Sequence, residues 1–391
     1  MNILFLTPRF PYPLDRGDKI RPYHFARVLA KHHKLSLLSF LHDEERDYVH
    51  SVDDLFDQVD VVPLTSWQTK RNMLLHVAGT KPLLVCGWTS MAMRDKLDGL
   101  LARNRFDIVY VYGLRMSQYI DCAEGSYKVL DLCDSLALLL LRMLKHAKLY
   151  KKPLVLREWL TVRRYEQHVA SQADECWFTS SVDKESMHGL SVGHKVFLIP
   201  NGVDTEYFAP GPAAAGAKDI SFVGYMGVES VDAVTYFCRD VFPKVRREVP
   251  EARFRIVGAN PPKQVRCLAN DASISVEGYV DDLRAIYRQT AVAVAPVRFS
   301  VGVQNKVLEA MSMGIPVVAT PEGNGGIGAT NGKELFVCGN AGDYADAVIR
   351  LLQNESLRQR VGREARVFIQ RRFRWSRVAE RIEGIERERC G

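Results

Sequence analysis

Residues 291–320 read AVAVAPVRFSVGVQNKVLEAMSMGIPVVAT. An apolar run, Ala291–Ala295, leads through Pro296 into a loop carrying Arg298. A short helical pattern with Lys306 and Glu309 follows, Gly314 closes it, and a second apolar run, Ile315–Thr320, begins at once. Strand, loop, helix and strand joined this tightly are the unit of a parallel α/β sheet. Val303, Val307, Ala310, Met311 and Gly314 recur at helical spacing, a stripe suited to lie on a sheet. Lys306 and Glu309 are three apart, neighbours on a different face. The spacing predicts a helix that begins near Gly302, just past a strand's carboxyl end. Open backbone N–H groups there, with Arg298 and Lys306, suit a diphosphate. Glu309, one turn on, suits accepting hydrogen bonds from sugar or ribose hydroxyls. An ordinary surface ion pair is the competing reading.

The string QNKVLEAMSMGIPVVAT, residues 304–320, resembles the nucleotide-sugar site of group 1 (family 4) retaining glycosyltransferases. The resemblance implies the GT-B fold: two Rossmann-like α/β domains facing across a cleft, with a C-terminal helix crossing back to the first. It assigns Arg298 and Lys306 to the donor diphosphate and Glu309 to the donor ribose. Many members carry a second Glu where this chain has Val301, so the contact to the donor sugar must differ. The form GVQNKVLEAM is similar to the sugar transferases associated with bacterial exopolysaccharide and exosortase (PEP-CTERM) loci.

Two further strings carry the same resemblance. IPNGVDTEYF, residues 199–208, is similar to a segment at the edge of the family's cleft, and its Asn-Gly is a turn signal. FVGYMGVESVDAVTYF, residues 222–237, resembles the first strand, loop and helix of the donor domain, with Glu229–Ser230 standing where relatives often have Pro-Asn. By resemblance, Gly224 and Tyr225 face the donor phosphates, and the loop at Gly278–Val280 packs around the nucleobase, which brings in Tyr279 and Val280. The donor set is then Gly17, Gly224, Tyr225, Tyr279, Val280, Gly302, Val303 and Glu309. The catalytic set is Arg298, Lys306 and Asp134.

Upstream, NILFLT (2–7) reads as a first strand, a proline-rich loop with Gly17 follows, and Ile20–His33 has a helical pattern. That is the opening of a doubly wound domain, without the GxGxxG of a dinucleotide fingerprint. Gly17 serves either as a simple turn or as a close approach to a ligand; the family resemblance favours the second. Further strands are expected at 34–41, 58–64, 107–112, 128–132, 176–179 and 196–199. Between them, 67–105 and 135–172 read as helical, the latter broken at Pro153. Asp134 follows a strand's carboxyl end, where α/β folds place ligands. It is read as a group that orients or deprotonates an acceptor hydroxyl, or as the N-cap of the next helix.

The expected domains are 1–208 for the acceptor, a linker at 209–218, 219–372 for the nucleotide sugar, and a returning helix at 373–391. Ala341–Leu352 and Ser356–Arg371 read as helices. The glycine-rich GNGGIG (323–328) reads as a loop.

With 391 residues, 47% hydrophobic and 25% charged, the chain can bury two full cores. The first residues read as a buried strand rather than a leader, and no run approaches a membrane span. Eight scattered cysteines, none in a CxxC pair, suggest neither a metal site nor a disulfide framework, and reduced thiols fit a cytoplasmic protein. Net charge is +7. Residues 142–164 carry eight Lys and Arg against Glu158 alone, directly after the run LALLLL. Such a stretch suits an anionic membrane surface or a lipid-pyrophosphate acceptor, or is a solvated helix face. Nothing points to nucleic acid.

The expected activity is transfer of a sugar, with retention, from a UDP or GDP sugar to a saccharide or polyprenyl-linked acceptor. No cofactor and no metal are implied: a DxD-like motif is lacking in a suitable place, and basic residues can supply the charge. A nucleotide-sugar 2-epimerase and a non-catalytic nucleotide-sugar binder are the alternatives. The epimerase would need acid–base His and carboxylates near the sugar, and no His follows His194.

Overall fold

Ile3, Leu4, Phe5 and Leu6 of strand β1 (Asn2–Thr7) are all fully buried. Burial on both faces of a strand is what a central parallel position demands. A computed structural model describes residues 1–187, 195–211 and 218–390, and side chains as far as 388. It shows two compact units, Met1–Pro200 with Ser376–Gly391, and Asn201–Trp375. The first unit ends eight residues before the expected boundary. The central part of the expected linker, 212–217, lies outside the described residues.

Among the described residues, unit 1 carries a seven-stranded parallel sheet. Its strands are β1, β2 (Lys34–Leu41), β3 (Gln58–Pro63), β4 (Ile108–Tyr112), β5 (Tyr127–Cys133), β6 (Glu175–Phe178) and β7 (Val196–Leu198). Their order is β3-β2-β1-β4-β5-β6-β7. The order reverses between β1 and β4, which opens a crevice at the strands' carboxyl ends. The first helix spans Gly17–Leu29, three residues earlier than its apolar pattern, with Gly17 as its exposed first residue. Periodicity reads the buried face, and a helix's first turn often carries none of it. The basic region forms helices Leu136–His146 and Lys152–Gln172, with Pro153 in the first turn of the second, where its missing N–H costs nothing. The last helix, Arg377–Cys390, packs on Gly17–Leu29 within this unit and buries Val378, Ile382 and Ile385.

Among the described residues, unit 2 has a six-stranded parallel sheet of β8 (Asp219–Val223), β9 (Arg253–Val257), β10 (Ile274–Glu277), β11 (Thr290–Ala295), β12 (Val317–Ala319) and β13 (Phe336–Val337). The order β10-β9-β8-β11-β12-β13 reverses between β8 and β11. Helix Asn305–Ser312 joins β11 to β12, and Val307, Ala310 and Met311 bury into the core beside Val303 as the stripe predicts. Gly314 follows it at φ +73°, the left-handed position that ends helices. Gly202 closes this unit: a Cβ there would sit 2.5 Å from the Trp375 nitrogen, so only glycine lets the two ends of the unit meet.

The stretch 321–328 is not simply a loop. Pro321–Gly325 is helical, capped by Thr320 Oγ1, which accepts from the Gly323 N–H at 3.1 Å. Gly326 then packs so closely on Gly302 that a Cβ would fall 1.9 Å from the Gly302 carbonyl oxygen.

Candidate functional site

In unit 2 the site is built where β8 and β11 part. β8 delivers Phe222 and then Gly224 at its carboxyl end, and the helix from Asn305 brings Lys306 against both. The Lys306 Nζ lies 4.4 Å from the centre of the Phe222 ring. A Cβ on Gly224 would stand 3.0 Å from Lys306 Nζ and Cε, so glycine is what admits the ammonium to the strand end.

Lys306 sits among two carboxylates. Burial pulls its pKa down to about 8, while Glu229 and Glu309 pull it back up. Burial likewise raises Glu229, with Lys306 opposing. Glu309 is pushed up to about 7 by burial, and the Tyr287 hydroxyl and Lys306 restrain the rise. Tyr287 Oη donates to Glu309 Oε2 at 3.1 Å and lies 3.3 Å from the Lys306 carbonyl oxygen. All four ionisable groups are therefore held in a desolvated corner, a setting common at functional sites.

Helix Asn305–Ser312 begins three residues later than expected, so Gly302 and Val303 lie in the turn before it. A turn carries Gly302 at φ +65°, which an apolar-stripe reading does not detect. The N-cap, Gln304, places no side chain on the helix's first N–H groups, which leaves that end suited to an anion. Asn305 is fixed by Asn201 of the Asn-Gly turn, Nδ2 to Oδ1 at 3.0 Å.

Arg298 follows β11 and is engaged by a carboxylate of the same unit. Its guanidinium forms a two-pronged pair with Asp232 of helix Val228–Tyr236, Nε to Oδ2 at 2.9 Å, and lies 5.1 Å from the Tyr236 ring. Tyr225 and Tyr279 are exposed, and Val280 packs partly buried against the core beside Val303 and Val307. Val301 is buried. Glu229 and Tyr287 were not anticipated. The signal for Glu229 was the departure from the usual Pro-Asn. Tyr287 is 22 residues from Glu309 and left no local trace.

Asp134 and Gly17 belong to unit 1. Asp134 accepts from Thr179 Oγ1 at 2.8 Å and is not the N-cap of the helix from Leu136. Ser135 takes that place, its Oγ accepting from the Leu138 N–H at 3.2 Å. The buried Glu166 completes the cap, receiving Leu136 N–H at 2.7 Å and Ala137 N–H at 3.2 Å. Asp134 is thereby left outside the helix, beside β5.

Residues 217–354, which hold the whole unit 2 cluster, match the family model "Glycosyl transferases group 1". A phosphatidyl-myo-inositol mannosyltransferase of Mycobacterium leprae is 30% identical over 213 residues, 49% of this chain and 53% of that protein, so the match spans about half of that relative's length. An uncharacterized protein of the cps region of Klebsiella pneumoniae is 22% identical over 74% of this chain and 76% of its own. The crystal structure of Anabaena HepE in complex with UDP and glucose superposes with a TM-score of 0.70 at 13% identity, covering 99% of this chain and all of that one. The two parallel α/β sheets are those of the GT-B glycosyltransferase fold.

Proposed function

We propose that the protein is a retaining glycosyltransferase that moves a sugar from a UDP or GDP sugar to a saccharide or lipid-linked saccharide acceptor, in exopolysaccharide or other cell-surface glycan synthesis. The observation that carries this reading is Lys306, packed on Gly224 at the switch point of unit 2, desolvated between Glu229 and Glu309. The group 1 match over the same residues, the mannosyltransferase relative, the cps-region relative and the UDP-bound neighbour support it.

In this reading the donor diphosphate lies on the open N-terminus of helix Asn305–Ser312, against Lys306. As the bond from the sugar's anomeric carbon to the diphosphate breaks, negative charge grows on the departing oxygen. A fixed ammonium in a dry pocket stabilises that charge more than water would. The acceptor hydroxyl forms the new bond on the same face and its proton passes to the departing phosphate. Arg298 adds positive charge alongside Lys306, and these two groups, rather than a metal ion, offset the diphosphate. Glu309 receives the ribose hydroxyls, oriented by Tyr287. Gly224, Tyr225, Gly302 and Val303 offer backbone to the phosphates, and Tyr279 and Val280 flank the base. Unit 1 binds the acceptor, with Asp134 on its sheet's carboxyl edge, while Gly17, the first residue of its first helix, serves the donor.

Membrane association belongs to the same reading. Among the described residues no helix is long and apolar enough to cross a membrane. Leu149 is 82% exposed, and Leu141, Tyr150, Leu154, Leu156 and Leu160 are also exposed amid the eight basic residues of 142–164. Leucines that insert and cations that meet anionic lipid suit a protein on the inner face of the plasma membrane. Flotation with anionic vesicles at low salt tests this, and indifference to them removes it.

A nucleotide-sugar binder without transferase activity is the second reading, favoured by the engagement of Arg298 with Asp232. Calorimetric titration with UDP, GDP, ADP and CMP is the test, on the wild type and on Glu309→Ala. Selective binding of one diphosphate, weakened by the substitution, is expected. Sugar transfer from the matching donor then separates enzyme from binder, and no binding of any nucleotide overturns both.

A further inference from the structure

Three segments of unit 1 meet where they leave the carboxyl ends of the adjacent strands β2, β1 and β4. They bring three guanidinium groups to one carboxylate. Arg16 grips Asp18 with Nε at 3.1 Å and Nη2 at 3.3 Å. Arg9 Nε and Arg115 Nη1 each stop 3.8 Å from Asp18 Oδ2, beyond hydrogen-bond length. Arg9 also reaches Glu44 at 3.0 Å and Glu45 at 3.2 Å, and Lys19 bridges Asp15 and Glu45, each at 3.2 Å. Arg115 lies over the Trp88 ring at 4.6 Å, which fixes its plane.

Buried polar atoms without a hydrogen-bond partner collect at the same place. They are the Nε of Arg9 and of Arg115, Thr7 Oγ1 and His42 Nε2. Thr7 is fully buried and His42 is 6% exposed. An unsatisfied buried polar group is costly, so several on one edge are unusual for a merely structural network. All four can donate, and they sit where Asp18 draws in two arginines that it does not reach at hydrogen-bond length.

We propose that this edge of unit 1, centred on Arg9, Arg115, Thr7 and His42, binds an oxyanion, a phosphate or a carboxylate. Guanidinium forks match both groups in geometry. Resting on the glycosyltransferase reading, the oxyanion belongs to the acceptor, which is then a sugar phosphate, a lipid-linked phosphate or a uronate rather than a neutral sugar. The donor and the acceptor anion are thus assigned to different units of the chain.

The test uses the full chain carrying Lys306→Ala, so that anion binding in unit 2 is suppressed. It is titrated with inorganic phosphate and, separately, with glucuronate. Saturable binding of either is expected, and the tighter of the two names the chemistry. Arg115→Gln and, independently, Arg9→Gln should weaken it about tenfold or more, the scale of one lost charge-assisted pair. Both should leave UDP affinity of the otherwise wild-type protein unchanged. Two variants guard against one failing to fold, which thermal melting reports. No saturable binding of either probe overturns the proposal. So does a loss of UDP affinity as large as the loss for phosphate, because the arginines then serve the donor. Phosphate binding that depends on Arg115, in a protein that binds no nucleotide, keeps the anion site and removes only the glycosyltransferase reading.

Discussion

Arg298 and Asp232 form a two-pronged pair, Nε 2.9 Å from Oδ2, so the arginine's charge is already engaged by a carboxylate of helix Val228–Tyr236. Asp232 either holds Arg298 in position for a diphosphate or competes with it. Replacing the carboxylate by an amide of the same shape separates these roles. Both side chains are partly exposed, so solvent screens the pair and its effect is modest, about 0.5–1 kcal/mol. Asp232→Asn should therefore tighten UDP binding a few-fold at low salt, fading at high salt, while Arg298→Ala weakens it. Calorimetry at two salt concentrations checks both. Unchanged affinity in both variants removes Arg298 from the donor site.

Lys306 predicts the pH dependence of nucleotide binding. Burial lowers it to about 8, and a bound diphosphate would raise it. Binding above that pH must then take up a proton, so affinity is full below about 8 and falls as pH rises through it, by up to about tenfold per unit. Glu229 raises the ammonium's pKa by attraction. Glu229→Gln should move the alkaline fall to lower pH, and UDP titrations across pH read the shift. A fall that stays in place would mean Glu229 does not act on Lys306.

Much of this site was legible in 291–320 because a helix on a parallel sheet writes its buried face as a stripe. Val303, Val307, Ala310 and Met311 are buried as that stripe requires, and Lys306 projects from another face. What stayed illegible is pairing across distance in sequence. Arg298 finds Asp232 only because β8 and β11 are neighbours in the sheet order, and Glu309 finds Tyr287 only because the helices before and after β11 come together. The helix start differs for a local reason: Val303 continues the stripe, but the positive φ of Gly302 keeps this turn out of the helix, which starts at Asn305.

Tyr287 sets the acidic side of the same profile. Its hydroxyl favours the ionised form of Glu309, whose pKa burial lifts to about 7. Only the carboxylate accepts hydrogen bonds from both ribose hydroxyls. Binding should thus weaken as pH drops below about 7, and Tyr287→Phe, which removes the restraint, should move that limb to higher pH. The alkaline limb set by Lys306 should not move. 2′-Deoxy-UDP is the control: if Glu309 holds the ribose, the deoxy ligand loses part of the acidic limb. Equal profiles for the two nucleotides would take Glu309 off the ribose.

The last helix is attached to unit 1 by a buried carboxylate. Glu175 is 1% exposed and accepts from Trp177 Nε1 at 2.7 Å, Tyr127 Oη at 3.0 Å and Arg381 Nε at 3.0 Å, with a second bond from Arg381 Nη2. The Arg381 guanidinium also lies 3.9 Å from the centre of the Phe197 ring. Removing one partner of a buried pair leaves the other charge uncompensated, which costs about 3–5 kcal/mol when both are fully buried. Arg381 keeps some exposure and the two neutral donors remain, so Arg381→Met should cost less, about 2–3 kcal/mol. Adding Glu175→Gln takes away the stranded charge, and the double variant should recover more than half of the loss. Urea unfolding followed by tryptophan fluorescence measures the wild type, the two single variants and the double variant. If the double variant is as unstable as the sum of the singles, the pair does not interact and the helix is held by Val378, Ile382 and Ile385 alone.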